Sequence, residues 1–129
     1  MQSSFHEPHL TGKKGEEIAS NYLKECQYEI VATNYRCRFG EIDIIARKNH
    51  QLHFIEVKTR KSTSFGHPVE SYTYRKQTKI IKTAWTYLSE NFVNNSKKPI
   101  FQFDLIALIL DSNNRIKELK YYEHAIHQS

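Results

Sequence analysis

Asp43, Glu56 and Lys58 are the residues of this chain whose types and spacing could do chemistry. The two carboxyl-bearing residues stand in alternating apolar runs, which predict two strands joined by a tight polar turn. If that turn is centred on residues 49–50, Asp43 lies directly opposite Glu56, and such cross-strand pairs have Cβ atoms roughly 5 Å apart. Lys58 joins the same face, because successive side chains of a strand alternate. The spacing therefore predicts two carboxylates and one ammonium together on one hairpin.

This trio predicts a site for a hard divalent cation, Mg²⁺ or Mn²⁺. Charges on a mostly apolar hairpin must be paired or coordinated, and magnesium is usually held by only one or two protein carboxylates. The alternative is a structural ion pair of Asp43 or Glu56 with Lys58. The apolar flanks and the shared face favour the metal site. The prediction depends on register, because a turn one residue longer or shorter would place the two acids on opposite faces.

Length and composition favour one soluble domain. The 129 residues suit a single domain, 1–129, with an ordered core of about 11–123. The chain contains no apolar run of membrane-spanning length, and its first residues lack the apolar segment of a signal peptide. We therefore expect a cytoplasmic protein with no membrane partner. Its two cysteines are then expected to be free thiols.

The positive charge is concentrated in one stretch. The formal net charge is +5, and residues 58–82 contain seven basic residues against the single acid Glu70. The seven are Lys58, Arg60, Lys61, Arg75, Lys76, Lys79 and Lys82. A stretch of this kind is typical of proteins that bind a polyanion such as nucleic acid, although an ordinary solvated face has the same composition. Its position beside the predicted carboxylates favours nucleic acid.

The predicted elements place the site on a mixed sheet. We expect a helix from residue 11 or 12 to 26, strands at 30–37, 41–47 and 52–59, a second helix after a loop at 61–68, and strands at 100–110 and 116–122. This order predicts an α/β sandwich with helices on both faces of the sheet. In the first helix, Glu16 borders the apolar stripe. It is either a third carboxylate that reaches the sheet or an acid that interacts with the helix dipole.

Two further features concern the core. In the second helix, one apolar side is predicted to face the core and a basic flank to remain free; that side comprises Tyr74, Ile81, Trp85, Leu88 and Phe92. Asp104 interrupts the strongly apolar strand 100–110. We interpret it as a buried, hydrogen-bonded aspartate, and a supporting role at the site is the weaker alternative.

An ordered set of motifs resembles a known family. The motifs are Gly15-Glu16-Glu17-Ile18-Ala19, Asn34-Tyr35-Arg36, Gly40-Glu41-Ile42-Asp43, Phe54-Ile55-Glu56-Val57-Lys58-Thr59-Arg60, Phe65-Gly66, Arg75-Lys76-Gln77 and Phe103-Asp104. In this order they resemble the YraN-like family of uncharacterised bacterial proteins. Asp43 with Glu56-Val57-Lys58 also resembles the Asp, Glu-x-Lys signature of the restriction-endonuclease-like nucleases.

The resemblance implies a three-layer α/β/α sandwich related to archaeal Holliday junction resolvases. It implies an active-site set of Glu16, Asp43, Glu56 and Lys58, with Lys76 as a DNA contact. Two positions depart from the family pattern. Gln102 stands where an arginine is usual, and the hairpin turn has Lys48-Asn49 in place of a pair such as Asp-Gly.

These observations together predict metal-dependent hydrolysis of nucleic-acid phosphodiesters, most simply of DNA. Mg²⁺ or Mn²⁺ would be held by Asp43, Glu56, the Val57 carbonyl and Glu16, while Lys58 would offset charge on the phosphoryl group. The basic residues of the 58–82 stretch would hold the backbone without reading sequence. A symmetric homodimer would suit a two-fold junction. The alternatives are a binding module that does not cut and a protein-interaction domain, of which the second leaves the one-sided charge unexplained.

Overall fold

The part of the chain that the structure describes forms two α-helices and five strands. The computed structural model describes residues 8–62, 66–92 and 99–126. The elements are α1 (Pro8–Glu25), β1 (Glu29–Cys37), β2 (Gly40–Lys48), β3 (Gln51–Arg60), a short 3-10 turn (Pro68–Ser71), α2 (Tyr74–Asn91), β4 (Ile100–Leu110) and β5 (Ile116–Ile126). The predicted element order is confirmed. Helix α1 begins earlier than predicted, and β5 continues to Ile126.

The five strands form one mixed sheet in the order β1-β2-β3-β4-β5. Neighbouring strands are antiparallel except β3 and β4, which are parallel and are joined by a crossover that contains α2. Parallel neighbours need such a crossover, because the chain must return to the end of the sheet where the first strand began. A tight turn is too short for that. Among the described residues, no helix has the length and apolar character needed to cross a membrane.

The β2–β3 turn fixes the register of the hairpin that carries the predicted site. Lys48 pairs with Gln51, so the loop has two residues, Asn49 and His50, with φ of 52° and 64°. Positive φ at both central positions is the type I′ arrangement, whose twist matches the flanking strands. Asparagine tolerates this conformation better than histidine does. The turn is therefore centred where the sequence predicts it.

Replacing His50 with glycine should stabilise the protein. The exposed His50 side chain adopts a φ of 64°, at which a Cβ atom is unfavourable. We expect the His50→Gly variant to gain about 0.5–1 kcal/mol in free energy of unfolding, measured by urea titration. The matched control is His50→Ala, which keeps the Cβ atom and should show no gain. Equal stabilisation of both variants would contradict this explanation.

Each helix covers one face of the sheet with its own apolar core. On the α1 face, Ala19 and Leu23 pack with Ile44, Ile55 and other buried strand residues. On the α2 face, a second cluster contains Ile80, Ala84, Tyr87 and Leu88 of the helix with Ile45, Phe54 and Phe103 of the strands. Consecutive residues such as Phe54 and Ile55 enter different clusters, because strand side chains alternate. The predicted mixed α/β class is confirmed.

The side of α2 that the sequence predicts to face the core is, apart from Leu88, not the side that the structure buries. Tyr74 is 85% exposed and Trp85 is 40% exposed, whereas Thr83 and Ala84 are fully buried. The buried face is turned by about one residue, or ~100°, from the aromatic stripe. The small side chains of Thr83 and Ala84 let the helix approach the sheet closely, which a pattern based on large apolar residues overlooks. Ile81 and Phe92 pack at the margin of the core.

Asp104 is the centre of a buried polar network, as predicted. It is fully buried and lies 2.7 Å from His53 Nδ1, and its carboxylate also accepts from the Tyr121 hydroxyl, the Gln102 amide and the His124 backbone N–H. Although burial opposes the charged form, these four hydrogen bonds lower the pKa of Asp104. All four partners stabilise the carboxylate, so its role is structural.

Candidate active site

The pairing of β2 with β3 ends at Ile44 and Ile55, next to Asp43. The pairs from Lys48↔Gln51 to Ile44↔Ile55 follow the predicted register, which places Asp43 next to Glu56. One position further, the Val57 N–H donates to Asp43 Oδ2 at 2.8 Å. At the end of the strand pairing, the Asp43 side-chain oxygen thus accepts an N–H of β3 that a backbone carbonyl of β2 would otherwise accept. This arrangement holds the Asp43 carboxylate between the two strands.

Glu56 carries the most perturbed carboxyl group of this region. Its pKa is raised to about 9, first by burial and then by a hydrogen bond to Asp43 and the charge of Asp43, while Lys58 lowers it. Lys58 Nζ lies 3.8 Å from Glu56 Oε2, and only 21% and 13% of the two side chains are exposed. A nearby carboxylate therefore outweighs the single ammonium. The structure brings the predicted trio together.

Glu16 reaches the same carboxyl group from α1. Its pKa is raised to about 7 by burial and by the charges of Asp43 and Glu41, and a hydrogen bond with Asn34 opposes that rise. The Asn34 side-chain N–H₂ donates to Glu16 Oε1 at 3.1 Å and to Glu41 Oε2 at 2.8 Å when its amide is oriented to suit these acceptors. Asp43 contributes to the raised pKa of both Glu16 and Glu56, so it is the carboxyl group that links the other two.

An open depression lies beside Glu16. It has a volume of about 390 Å³ and is lined by Gly12, Lys13, Glu16, Asn34, Arg36 and Glu41. Solvent and ions can therefore approach Glu16 between α1 and the strands β1 and β2.

Gly15 allows α1 to bring Glu16 to the sheet. A Cβ atom at Gly15 would lie 1.9 Å from Thr59 Oγ1 and 2.9 Å from Thr59 Cβ, closer than any van der Waals contact permits. Gly12, one turn earlier on the same helix, has no atom within 4 Å of the corresponding position. The helix can thus approach β3 at this depth only where it has no side chain.

Replacing Gly15 with alanine should destabilise the protein and displace Glu16. We expect the Gly15→Ala variant to lose about 1–3 kcal/mol in free energy of unfolding, because the methyl group forces α1 away from Thr59. The Gly12→Ala variant is the matched control and should be neutral or gain up to about 1 kcal/mol from helix propensity. Urea unfolding of both variants measures the difference. Equal stability of the two would contradict the close approach.

Three cations surround the carboxyl groups. The pKa of Lys76 is lowered, first by the charge of Lys58, then by burial and by the charge of Arg60, while the charge of Glu56 opposes this. Lys76 belongs to the first turn of α2, whose N-cap Thr73 accepts a hydrogen bond from the Lys76 N–H at 3.3 Å. The α2 N-terminus therefore brings Lys76 to the end of β3. Like charges this close favour an anion between them.

The remaining basic residues of the stretch lie elsewhere. Lys82 Nζ is 5.8 Å from the Phe39 ring centroid, and Lys79 packs beside Gly40, so both lie at the β1–β2 turn. Arg75 is exposed in the first turn of α2, and Lys61 follows β3. The basic stretch is thus divided between the carboxyl groups and the β1–β2 turn.

The donor set suits a hard cation with few protein ligands. Within residues 8–62, 66–92 and 99–126, no three or more His, Cys, Asp or Glu side chains form a group that could hold a metal ion. Asp43 and Glu56 supply two adjacent carboxyl groups, the number that magnesium usually takes from a protein. The Val57 group seen to contact Asp43 is its N–H, and its carbonyl as a ligand stays a prediction. Glu16 is close enough for the charge of Asp43 to raise its pKa, and its role as a further ligand stays a prediction.

Asn34 and Tyr72 near the site, and Arg38 at the β1–β2 turn, received no role from the sequence. Asn34 has a φ of 53° and links Glu16 to Glu41, and this geometry depends on how β1 meets α1. Arg38 lies over the Phe39 ring at 4.7 Å. The Tyr72 hydroxyl is buried with no hydrogen-bond partner among the described residues, and burial and the charge of Glu56 raise its pKa. For Asn34, the sequence signal was the Asn34-Tyr35-Arg36 motif, which carried no predicted role.

Comparison with known proteins gives a consistent result. A UPF0102 protein of Clostridium botulinum is 46% identical over 114 residues, covering 88% of this chain and 91% of that protein. A UPF0102 protein of Chlorobium limicola is 46% identical over 123 residues, covering 94% and 92%. One from Chloroherpeton thalassium is 43% identical over 104 residues, covering 81% and 78%.

Residues 15–108 match the sequence profile described as Uncharacterised protein family UPF0102. This range includes Glu16, Asp43, Glu56, Lys58 and all of α2. The YraN-like resemblance is thereby confirmed. The chain belongs to the Uncharacterised protein family UPF0102.

Proposed function

We propose that this protein is a metal-dependent nuclease that hydrolyses nucleic-acid phosphodiesters, DNA in particular, on a restriction-endonuclease-like fold. The observation that carries the proposal is the set of Asp43, Glu56 and Lys58 at the opening of the β2–β3 ladder. Burial and the charge of Asp43 raise the pKa of Glu56 and that of Glu16, so folding holds these carboxyl groups where the charged form is disfavoured. Perturbed groups of this kind cluster at functional sites.

Mg²⁺ or Mn²⁺ would relieve the repulsion at Asp43 and Glu56, with Glu16 at the side. When bound, such an ion supplies Lewis-acid polarisation of a phosphoryl oxygen and an activated water. The residues fit that requirement, because the available ligands are carboxylate oxygens, which hard cations prefer. Asp43 is positioned in advance by the Val57 N–H, so little reorganisation is needed on binding.

The neighbouring cations would bind and orient the phosphodiester. Lys58, fixed beside Glu56, donates a hydrogen bond to a phosphoryl oxygen and offsets the charge that develops there. Lys76 and Arg60 hold the same or the next phosphate, which offsets the repulsion between Lys58 and Lys76. These contacts read charge and not sequence. The resemblance to junction resolvases suggests branched DNA as the substrate, with a symmetric homodimer to match its two-fold axis.

A binding module that does not cut is the second candidate, and one observation favours it. With pKa values of about 9 and 7, Glu56 and Glu16 retain protons near neutral pH when no cation is present. The carboxyl groups then carry reduced negative charge, and Lys58, Lys76 and Arg60 could bind a phosphate without metal. Against this candidate, a pure binder gains nothing from three acids beside the phosphate.

Cleavage of defined DNA substrates tests the proposal. Purified protein is incubated with duplex, single-stranded, flap and four-way-junction DNA in Mg²⁺, Mn²⁺ or EDTA. We expect metal-dependent cutting that falls by about 10²–10⁴-fold in Lys58→Ala. Lys117→Ala, which removes an exposed lysine of β5, is the matched control and should cut at the wild-type rate.

The possible results separate the two candidates. Cutting that survives Lys58→Ala, or that proceeds in EDTA, would contradict the assigned chemistry. Salt-sensitive binding of the same substrates without any cutting would support the binding module.

A further inference from the structure

A second cationic surface lies at the β1–β2 turn, on the α2 face. Arg38 Cζ lies 4.7 Å and Lys82 Nζ 5.8 Å from the centroid of the Phe39 ring. Lys79 Cβ would be 3.7 Å from a Cβ atom at Gly40, so the preceding turn of α2 packs against the same loop. We name Arg38, Phe39, Lys79 and Lys82 the turn patch. It joins two separate parts of the chain, with Arg38 and Lys82 beside the Phe39 ring and Lys79 next to Gly40.

The charge of the turn patch is not neutralised within the part of the chain that the structure describes. No acid there lies within 4.0 Å of the Arg38, Lys79 or Lys82 charged groups, whereas neighbouring Arg36 forms an ion pair with Glu41. Arg38, Lys79 and Lys82 are also exposed. Three unpaired cations held together repel one another, and a bound polyanion would relieve that repulsion. A solvated face that serves only solubility would not need Arg38 and Lys82 on one ring with Lys79 beside the same turn.

Helix α2 connects the turn patch to the carboxyl groups. Lys76 stands beside Lys58, and Lys82 lies six residues further along the same helix, which is about 9 Å. Lys79 lies between them. Phosphates follow one another every ~3.4 Å of axis rise along one DNA strand, so 9 Å corresponds to about three nucleotides. The helix positions that carry these cations thus span the length of a few nucleotides.

An open depression gives a ligand access to the turn patch. It has a volume of about 320 Å³ and is lined by residues 36–41, which include Arg38 and Phe39. A backbone that follows α2 from Lys76 would reach it at Lys82.

We propose that the turn patch binds the phosphate backbone of the nucleic-acid strand about three nucleotides from the phosphate at Lys58. The position relative to a scissile phosphate rests on the proposed function, whereas the affinity of the patch for a polyanion does not. The patch supplies binding and register and takes no part in bond cleavage.

The test is salt-dependent binding in EDTA, without any cutting. The Arg38→Ala/Lys82→Ala double variant is compared with Lys24→Ala/Lys117→Ala, which removes the same net charge from exposed positions elsewhere. Anisotropy of fluorescein-labelled duplex DNA is measured from 50 to 200 mM KCl. We expect the turn-patch variant to bind about tenfold more weakly, with its slope of log K against log salt smaller by about 1.8. The control pair should stay within about twofold of wild type.

Two results would overturn the turn patch. One is an unchanged salt slope in the double variant or an equal loss in the control pair. The other is tighter binding of labelled poly-glutamate than of DNA, because poly-glutamate offers no phosphate and only an acidic-peptide site would prefer it. Melting temperatures of all variants, expected within a degree or two of wild type because the side chains are exposed, show that the fold is intact.

The same variants separate this proposal from the nuclease proposal. If the wild type cuts no substrate, but the double variant binds DNA more weakly and with the smaller salt slope, the proposed function fails and the turn patch stands. If wild-type protein cuts and the double variant binds as wild type, the turn patch fails alone. Where cutting is seen, the double variant should raise KM about tenfold and leave kcat unchanged, because it touches no reacting atom.

Discussion

Replacing Asp43 with asparagine is expected to stabilise the metal-free protein at pH 9 and to abolish cleavage. The amide oxygen of the new side chain can still accept the Val57 N–H, so the local structure is kept. The substitution removes the charge and hydrogen bond that, after burial, do most to raise the pKa of Glu56. We expect a gain of about 1–2 kcal/mol at pH 9, or roughly 3–8 °C in melting temperature, and a loss of activity of about 10³-fold or more.

The pH range in which stability changes follows from the raised pKa of Glu56. Glu56 has a folded-state pKa of about 9 against an ordinary value of 4.5, so the folded protein binds more protons than the unfolded chain between these values. Stability of the wild type should therefore fall as pH rises through that window. Glu16, with a pKa of about 7, adds to the fall between 4.5 and 7. In Asp43→Asn, the fall in stability with rising pH that Glu56 and Glu16 cause should be less steep.

Thermal melts in EDTA and in Mg²⁺ from pH 5 to 9 measure these effects. Mg²⁺ should raise the melting temperature of the wild type at pH 8.5 and leave that of Asp43→Asn nearly unchanged, because an ion that binds only the folded state stabilises it. Glu25→Gln, which removes one exposed carboxylate at the end of α1, is the control and should behave as wild type. A lower melting temperature for Asp43→Asn at pH 9 in EDTA would refute the repulsion at this site.

Replacing Asp104 with alanine should have the largest effect on stability. The substitution leaves four donors without this acceptor: His53 and Gln102, which are buried, the partly buried Tyr121, and the His124 backbone N–H. An unpaired buried donor costs about 1–3 kcal/mol, and loss of one partner from a buried charged network costs about 3–5 kcal/mol in total. We expect a loss of about 3–5 kcal/mol in free energy of unfolding by urea titration.

The conservative variant Asp104→Asn provides the control for this prediction. It keeps one acceptor and should lose less than the alanine variant. Because the pKa of Asp104 is lowered, the stability that its charge provides is present above the unfolded-state pKa and is lost as pH falls through the folded-state value. Both variants should therefore show less stability loss on acidification than wild type. A loss below about 1 kcal/mol in Asp104→Ala would show that the network does not stabilise the fold.

The two departures from the family pattern lie outside the carboxyl set. Gln102, which stands where an arginine is usual, donates to Asp104 and to Glu123 and accepts from Gln51. It takes part in the buried network as a neutral residue. The unusual turn at Asn49 and His50 keeps two residues and positive φ, so the hairpin register is preserved.

The sequence by itself determined the hairpin and its register. Strand side chains alternate with a period of two, and a two-residue polar turn leaves one register that buries the apolar residues of both strands. The adjacency of Asp43 and Glu56 follows from that local geometry. The limits of β4 and the element order also follow from local patterns, because long apolar runs and turn residues are read within a few positions.

Only the tertiary structure decided what surrounds the hairpin. Glu16 reaches Asp43 because Gly15 lets α1 approach Thr59, and Asn34 joins them from another strand. The buried face of α2, and the division of the basic stretch between Lys58 and the β1–β2 turn, depend on how the crossover helix packs on the sheet. These contacts join residues far apart in the chain, and their geometry is set by packing of small side chains that hydrophobic periodicity does not register.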